Sequence, residues 1–311
     1  MQILIPPQAP PTIATVIMKV LACLVIAFYA TGSGATTLPK KIQFGTYVVY
    51  ETSFRERSTT GIALYTKLLF NSINARLPFA VNETQIELVL VGMKEVSNNT
   101  VAGVPNTFGN MHISIMEEPL HLYLKKEFDQ DIQNADIVLY FSGATFGLYI
   151  PGKESYNGWS ASGTICTPNK GVAFGVHDPN FSGMESIMFG ILRLLGSGET
   201  GGVAANLKTK CMSCLTKKPV GVCSNVTELP GEVLNGTAYC RGYTHNDDAP
   251  SFCQTFGDGC GLTCCWEEAS ISSSAPDGFG CGKKKKICFM GKCVPRSFLN
   301  RKCSTKKPKK P

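Results

Sequence analysis

Four histidines are the side chains of this sequence best suited to proton transfer or metal ligation: His112, His121, His177 and His245. None stands at ligand or acid–base spacing from a carboxylate, and His177-Asp178 precedes the nearest helical pattern rather than lying within it. Each therefore reads as a structural or surface histidine. Cysteine is the other reactive type, with 14 in 311 residues. Cys211-x-x-Cys214 has the spacing of a zinc or thiol redox pair, but in an exported chain disulfide pairing is the better reading. The disulfide candidates are Cys166, Cys211, Cys214, Cys223, Cys240, Cys253, Cys260, Cys264, Cys265, Cys281, Cys288, Cys293 and Cys303. With Cys23 removed in a leader they number 13, one too many to pair fully, and spacing does not fix the connectivity.

Export is argued from the first residues. Met18-Lys19 supplies a positive start, residues 20–30 an apolar run, and 31–35 the small residues of a cleavage site. Residues 1–35 thus read as a signal peptide cleaved after Ala35, with Met18 as the working start; an uncleaved anchor over 13–30 is the alternative. Five sequons agree with export, at Asn82, Asn98, Asn180, Asn225 and Asn235. No later apolar run is long enough to span a bilayer. A composition 43% hydrophobic and 17% charged describes a globular chain rather than a disordered one.

The net charge of +7 is unevenly placed. From Cys281 to the end there are 12 Lys and Arg and no acid, whereas the rest holds 18 basic against 23 acidic residues. Lys283, Lys284, Lys285 and Lys286 form a run inside this region, a candidate patch for a heparin-like polyanion or anionic lipid. Solvated surface charge explains it equally well. Nothing supports nucleic-acid binding.

Two halves differ in their physics. From 41 to 197 the chain reads as a packed α/β core with one cysteine, Cys166. Strands are expected over 44–51, 85–96 and 135–142, and helices over 58–76 and 118–128. On the first helix Ile62, Tyr65, Leu69, Ser72 and Ile73 share a face. Alternating strands and helices predict a mixed, mainly parallel sheet. A helix over 182–196 follows, opened by a Ser182-x-x-Glu185 capping box and stopped at Gly196. Met184, Ile187, Met188, Ile191 and Leu195 recur along it at helical spacing. Beyond Cys211 that periodicity disappears, and a loop-rich module stapled by disulfides is expected.

The order of elements resembles a metzincin zinc protease of the reprolysin (adamalysin) type, in particular the salivary metalloproteases of ticks. TYVVYETSFRER resembles that family's first strand and helix, IELVLVGMKEV its second strand, ADIVLYFSG the next, and GTICTPNKGVAFGV its edge region. LPGEVLNGTAYC and PDGFGCGKKKKICFMGKCV resemble the opening and close of the family's cysteine-rich, disintegrin-like region. The resemblance covers roughly 42–295 and implies a metzincin-like sheet with two main helices. Its organisation would be a reprolysin-like domain over 42–215, a cysteine-rich module over 219–303 and a basic tail over 304–311.

Active members carry H-E-x-x-H-x-x-G-x-x-H, which holds zinc through three histidines and activates water through the glutamate. Aligned on Gly196, the resemblance puts Phe189 and Arg193 at the first two ligand positions, Gly190 at the glutamate and Glu199 at the third ligand. Gly196-Ser197 and Gly201-Gly202 resemble the turn that follows. No zinc ligand set remains, so no cofactor is expected. Arg193 and Glu199 either pair where zinc would clamp helix to turn or stand as two solvated charges, and Met212 is a candidate remnant of the Met-turn beneath the metal. Only about ten residues separate Ala35 from Thr46, leaving no room for the pro-domain of active relatives; a truncated gene model would look the same.

These readings converge on a secreted, inactive metalloprotease homologue that binds an extracellular or host protein through its cysteine-rich module. The alternatives are a zinc endopeptidase with atypical ligands and a heparin-binding adhesion protein. The chain contains no Arg-Gly-Asp.

Overall fold

The segment KIQFGTYVVYE is too apolar for a sheet edge, and in the computed structural model it forms an interior strand, β1 (Lys41–Glu51). The structure describes residues 37–58, 60–97, 135–142, 158–160, 162–167, 171–176, 181, 184–210, 212–219, 228–241, 251–266, 269–282 and 285–299. The main sheet has five strands in the order β2 (Gln85–Val96), β1, β3 (Ile137–Ser142), β5 (Gly171–Val176), β4 (Gly158–Ser160). Only β4 runs antiparallel to its neighbour, which gives the mixed, mainly parallel architecture expected. β3 is buried along its whole length, as a strand flanked on both sides must be. Where the β1–β2 register shifts between Thr46 and Tyr47, Gly92 makes room, since a Cβ there would lie 2.5 Å from the Tyr47 ring.

After β1 comes a short helix, α1 (Thr52–Arg57), and then α2 (Ile62–Ala80). The expected helix over 58–76 is thus displaced by about one turn, because Gly61 at φ 75° breaks the helical path before Ile62. Tyr65, Leu69, Ser72 and Ile73 are buried as their spacing implied. Leu68, Asn71, Arg76 and Leu77 are buried too, so α2 is covered on more than one side. Asn74 docks it on the sheet: its side chain donates to Leu88 O at 2.9 Å and accepts from Leu88 N at 2.8 Å. Phe54, Tyr65, Phe141 and Phe181 pack ring against ring, with centroids 4.5–6.4 Å apart. The helix expected over 118–128 lies outside the described residues.

Three further helices follow: α3 (Met184–Leu194), α4 (Gly202–Lys208) and α5 (Met212–Leu215). Among the described residues the cysteine-rich region holds more regular structure than loops. It contains α6 (Pro230–Val233), α7 (Gly236–Arg241), a sheet β6 (Ser251–Phe256), β7 (Gly261–Cys265), β8 (Ser270–Ser274), and a hairpin β9 (Lys286–Phe289), β10 (Lys292–Pro295). A 3-10 turn closes it at Arg296–Leu299. Elements of four to six residues are too short to show a helical period, which is why the sequence reads as loop. Disulfides Cys240–Cys264, Cys253–Cys265, Cys260–Cys288 and Cys281–Cys293 cross-link this region. Cys211, Cys223 and Cys303 lie outside the described residues. No helix among the described residues is long and apolar enough to cross a membrane.

Pro39–Pro311 forms one compact unit, and its centre of attachment is Asp277. Arg76, on α2, donates through Nε at 2.6 Å and Nη2 at 2.8 Å to the two oxygens of Asp277, which has no exposed surface. The same carboxylate accepts from Met290 N at 3.0 Å, and Asp277 O accepts from Gly231 N at 2.8 Å. Nearby, Asn71 Nδ2 donates to Glu228 O at 2.7 Å, and Leu229 packs with Ala75, Ile287, Phe289 and Leu299. A buried bidentate pair is costly to break on one side only. Arg76→Met is therefore expected to lower unfolding free energy by ~3–5 kcal/mol in denaturant titration of the disulfide-intact protein. Arg55→Met, which breaks an exposed pair with Glu95, should lose less than about 1 kcal/mol in the same measurement.

Candidate functional site

Helix α3 packs against β4 and β5. Its apolar residues Met184, Ile187, Met188, Ile191 and Leu194 are buried, as is Leu195 just beyond it. On the other face Phe189 is 47% exposed, which for a large apolar ring on a packed helix is unusual. Arg193 lies one turn later. Its guanidinium stands 5.9 Å from the Phe189 ring centroid, and its Nε donates to Ser160 O at 3.3 Å. Gly190 is buried, and its carbonyl accepts the Ser160 hydroxyl at 2.6 Å. The three positions that the resemblance aligned with ligand, base and ligand thus share one helix, tied to strand β4 by Ser160. Ser182, first residue of the expected capping box, lies outside the described residues.

Gly196 stops the helix as expected. It adopts φ 101°, donates to Arg193 O at 2.8 Å, and Ser197 N reaches back to Leu192 O at 2.9 Å. That pair of bonds is the Schellman pattern, and it needs a residue comfortable in the left-handed region. Gly196 is constrained a second way: a Cβ there would fall 2.4 Å from Asn206 Cβ. Asn206, on α4, donates from Nδ2 to Leu195 O at 2.9 Å. From the other side Gly163 N donates to Arg193 O at 2.8 Å and Ile165 N to Leu194 O at 3.2 Å. Lys210 Nζ holds Gly163 O at 2.8 Å, and Cys166–Cys214 fastens the same segment. The helix end is therefore clamped to its turn by amides, one asparagine and a disulfide.

One expectation needs correction. No ion pair or hydrogen bond joins Arg193 to Glu199; Arg193 turns to Ser160 and Phe189, and Asn206 ties the helix end to α4 through Leu195 O. Glu199 is exposed, its side chain lies against Gly163, and its charge acts on Lys210. Burial lowers the Lys210 pKa, and Glu199 partly opposes that shift. The folded chain thus holds this proton less firmly than the unfolded one, so stability rises with pH through the lowered value towards the ordinary lysine range. Met212, the candidate Met-turn remnant, is 48% exposed, and the buried residue of α5 is Leu215.

Other candidates fall in place or out of view. Asn82 and Asn235 are exposed, and Asn235 Oδ1 accepts from Ala238 N at 2.8 Å, capping α7. Asn98, Asn180, Asn225, Lys283, Lys284 and all four histidines lie outside the described residues. Lys285 and Lys286 are exposed.

No family model matches the chain, and no curated protein matches it. Solved structures similar to it include metalloproteinase-II from Bacteroides fragilis, at 14% identity and a TM-score of 0.35, covering 53% of this chain and 46% of that one. A chaperone–substrate complex is similar at 10% identity and a TM-score of 0.34, covering 50% of this chain and 24% of the other. The chain thus spans less than half the length of either.

The side chains on α3 do not fit a zinc ion. Phe189 and Gly190 offer no donor atom, and Arg193 presents a permanent cation. Among the described residues one trio has its ligand atoms close enough together to hold a metal, Cys260, Cys281 and Cys293, and each is already in a disulfide. Asn206→Ala should cost about 1 kcal/mol of stability through the lost Leu195 bond. Gly196→Ala should cost ~1–3 kcal/mol, from the left-handed backbone it forces on alanine and the clash with Asn206. Chemical denaturation of both variants checks that order.

Proposed function

We propose that this protein is a secreted, catalytically inactive homologue of zinc metalloproteases, and that it acts by binding an extracellular or host protein through its cysteine-rich module. The observation that carries the proposal is the outer face of α3, where Phe189 and Arg193 stand at the positions the resemblance gives to zinc ligands. Gly190, at the place of the general base, contributes only a backbone carbonyl already bonded to Ser160. A water molecule there would have neither a metal nor a carboxylate to activate it.

The scaffold supports the same reading. The turn after α3 is closed by protein groups, through Gly196, Asn206 and the 162–167 segment. Disulfides cross-link the module, and two sequon asparagines are exposed, both consistent with an oxidising, extracellular setting. A cross-linked module presents a rigid surface, which lowers the ordering cost of recognition. The host target follows from the likeness to tick salivary proteins and from nothing else.

Native mass spectrometry of the secreted, disulfide-intact protein in excess zinc tests this reading. The expected mass is that of the metal-free glycoprotein, with no cleavage of a denatured protein substrate in a parallel assay. One tightly held zinc per chain, or zinc-dependent cleavage, would return the endopeptidase reading.

A further inference from the structure

Two exposed phenyl rings lie stacked on the surface where α2 meets the last turn of the module. Phe79, 41% exposed, and Phe298, 51% exposed, have centroids 5.4 Å apart. Both rest on Phe289, at 5.6 Å and 6.4 Å, and Phe289 is itself buried in the cluster with Leu229, Ile287 and Leu299. The pair is therefore held on a rigid floor with its outer faces in water. Apolar rings placed so meet an apolar phase in their working state more often than solvent alone.

The charge around them has one sign. Arg296 N donates to Lys285 O at 2.9 Å, which sets Lys285 against the first residue of the turn that carries Phe298. Lys286 and Lys292 are exposed on the hairpin, and Lys292 sits opposite Phe289 in its register. The nearby acids are already matched: Glu232 by Arg296, and Glu83 by Lys208.

We infer that this face docks on an anionic lipid bilayer, with Phe79 and Phe298 entering the headgroup–acyl boundary and Lys285 and Lys292 against acidic headgroups. A sulfated polysaccharide satisfies the lysines but offers the stacked rings no apolar phase. An anionic bilayer satisfies both at the depth each side chain reaches. Neither element alone holds a protein firmly to a membrane, and the two together are the usual requirement.

The test uses the full secreted protein, disulfide-intact, with vesicles of phosphatidylcholine alone or with added phosphatidylserine. The parent should co-sediment with the phosphatidylserine vesicles only. Phe79→Ser with Phe298→Ser, and separately Lys285→Gln with Lys292→Gln, should each weaken binding by about tenfold or more. Retention on heparin should fall in the lysine variant and persist in the phenylalanine variant. Phe298→Trp gives a readout independent of stability: its fluorescence should shift to the blue on binding. Failure of the parent to bind, binding undiminished in the phenylalanine variant, or an unshifted tryptophan would each overturn the inference and leave a polyanion site in its place.

Discussion

A carboxylate with no exposed surface must be matched inside the protein, and Asp277 is matched by groups from every part of the chain around it. Arg76 comes from a helix 201 residues earlier and Met290 N from the hairpin, while Gly231 N, from the opening of the module, holds the backbone carbonyl of the same residue. Those bonds make the α/β sheet and the cysteine-rich region mutually dependent. Remove the guanidinium, and a buried anion faces apolar surroundings. Remove the carboxylate, and α2 keeps a buried cation beside the Leu229 cluster. Glycine permits this closeness: a Cβ on Gly231 would lie 2.2 Å from Phe279 N, and one on Gly278, at φ 92°, would lie 2.6 Å from Leu229 Cβ.

That geometry explains why some of the structure was legible in the sequence and some was not. LPGEV and PDGFGCG stood out as motifs because backbone contact between them demands glycine and aspartate at fixed places. Their mutual contact, and the partner of Asp277, depend on a separation that no local period encodes. The strand over 85–96 was readable from alternation, the one expected over 135–142 and found over 137–142 from its apolar run, and the stop at Gly196 from one residue. The Arg193–Glu199 pair was not, because opposite charges near one another in sequence say nothing of where each side chain turns. The helix end is tied by Asn206 instead, whose role needs the approach of α4. Disulfide partners such as Cys166 and Cys214 were equally beyond spacing arguments, because each depends on which loops the sheet brings together.

For function, the consequence is a helix end whose turn is held by protein groups. Where the resemblance puts zinc, α3 carries an exposed ring and a guanidinium, and the turn that a metal would clamp is closed by amide bonds and by Cys166–Cys214. Such a frame is free to vary its surface. Stability comes from the floor beneath, from Asp277 and from the cross-links, so exposed groups such as Phe189, Phe79 and Phe298 are available for contact with something else.

The central claim is that one cooperative unit stands without metal. Calorimetric unfolding of the disulfide-intact protein tests it most directly, run once with excess zinc and once with a strong chelator. A ligand that binds only the folded form must raise its melting temperature. The account predicts a single transition covering sheet and module together, at the same temperature in both solutions. Two separated transitions, or a melting temperature that rises with zinc and falls with chelator, would contradict it.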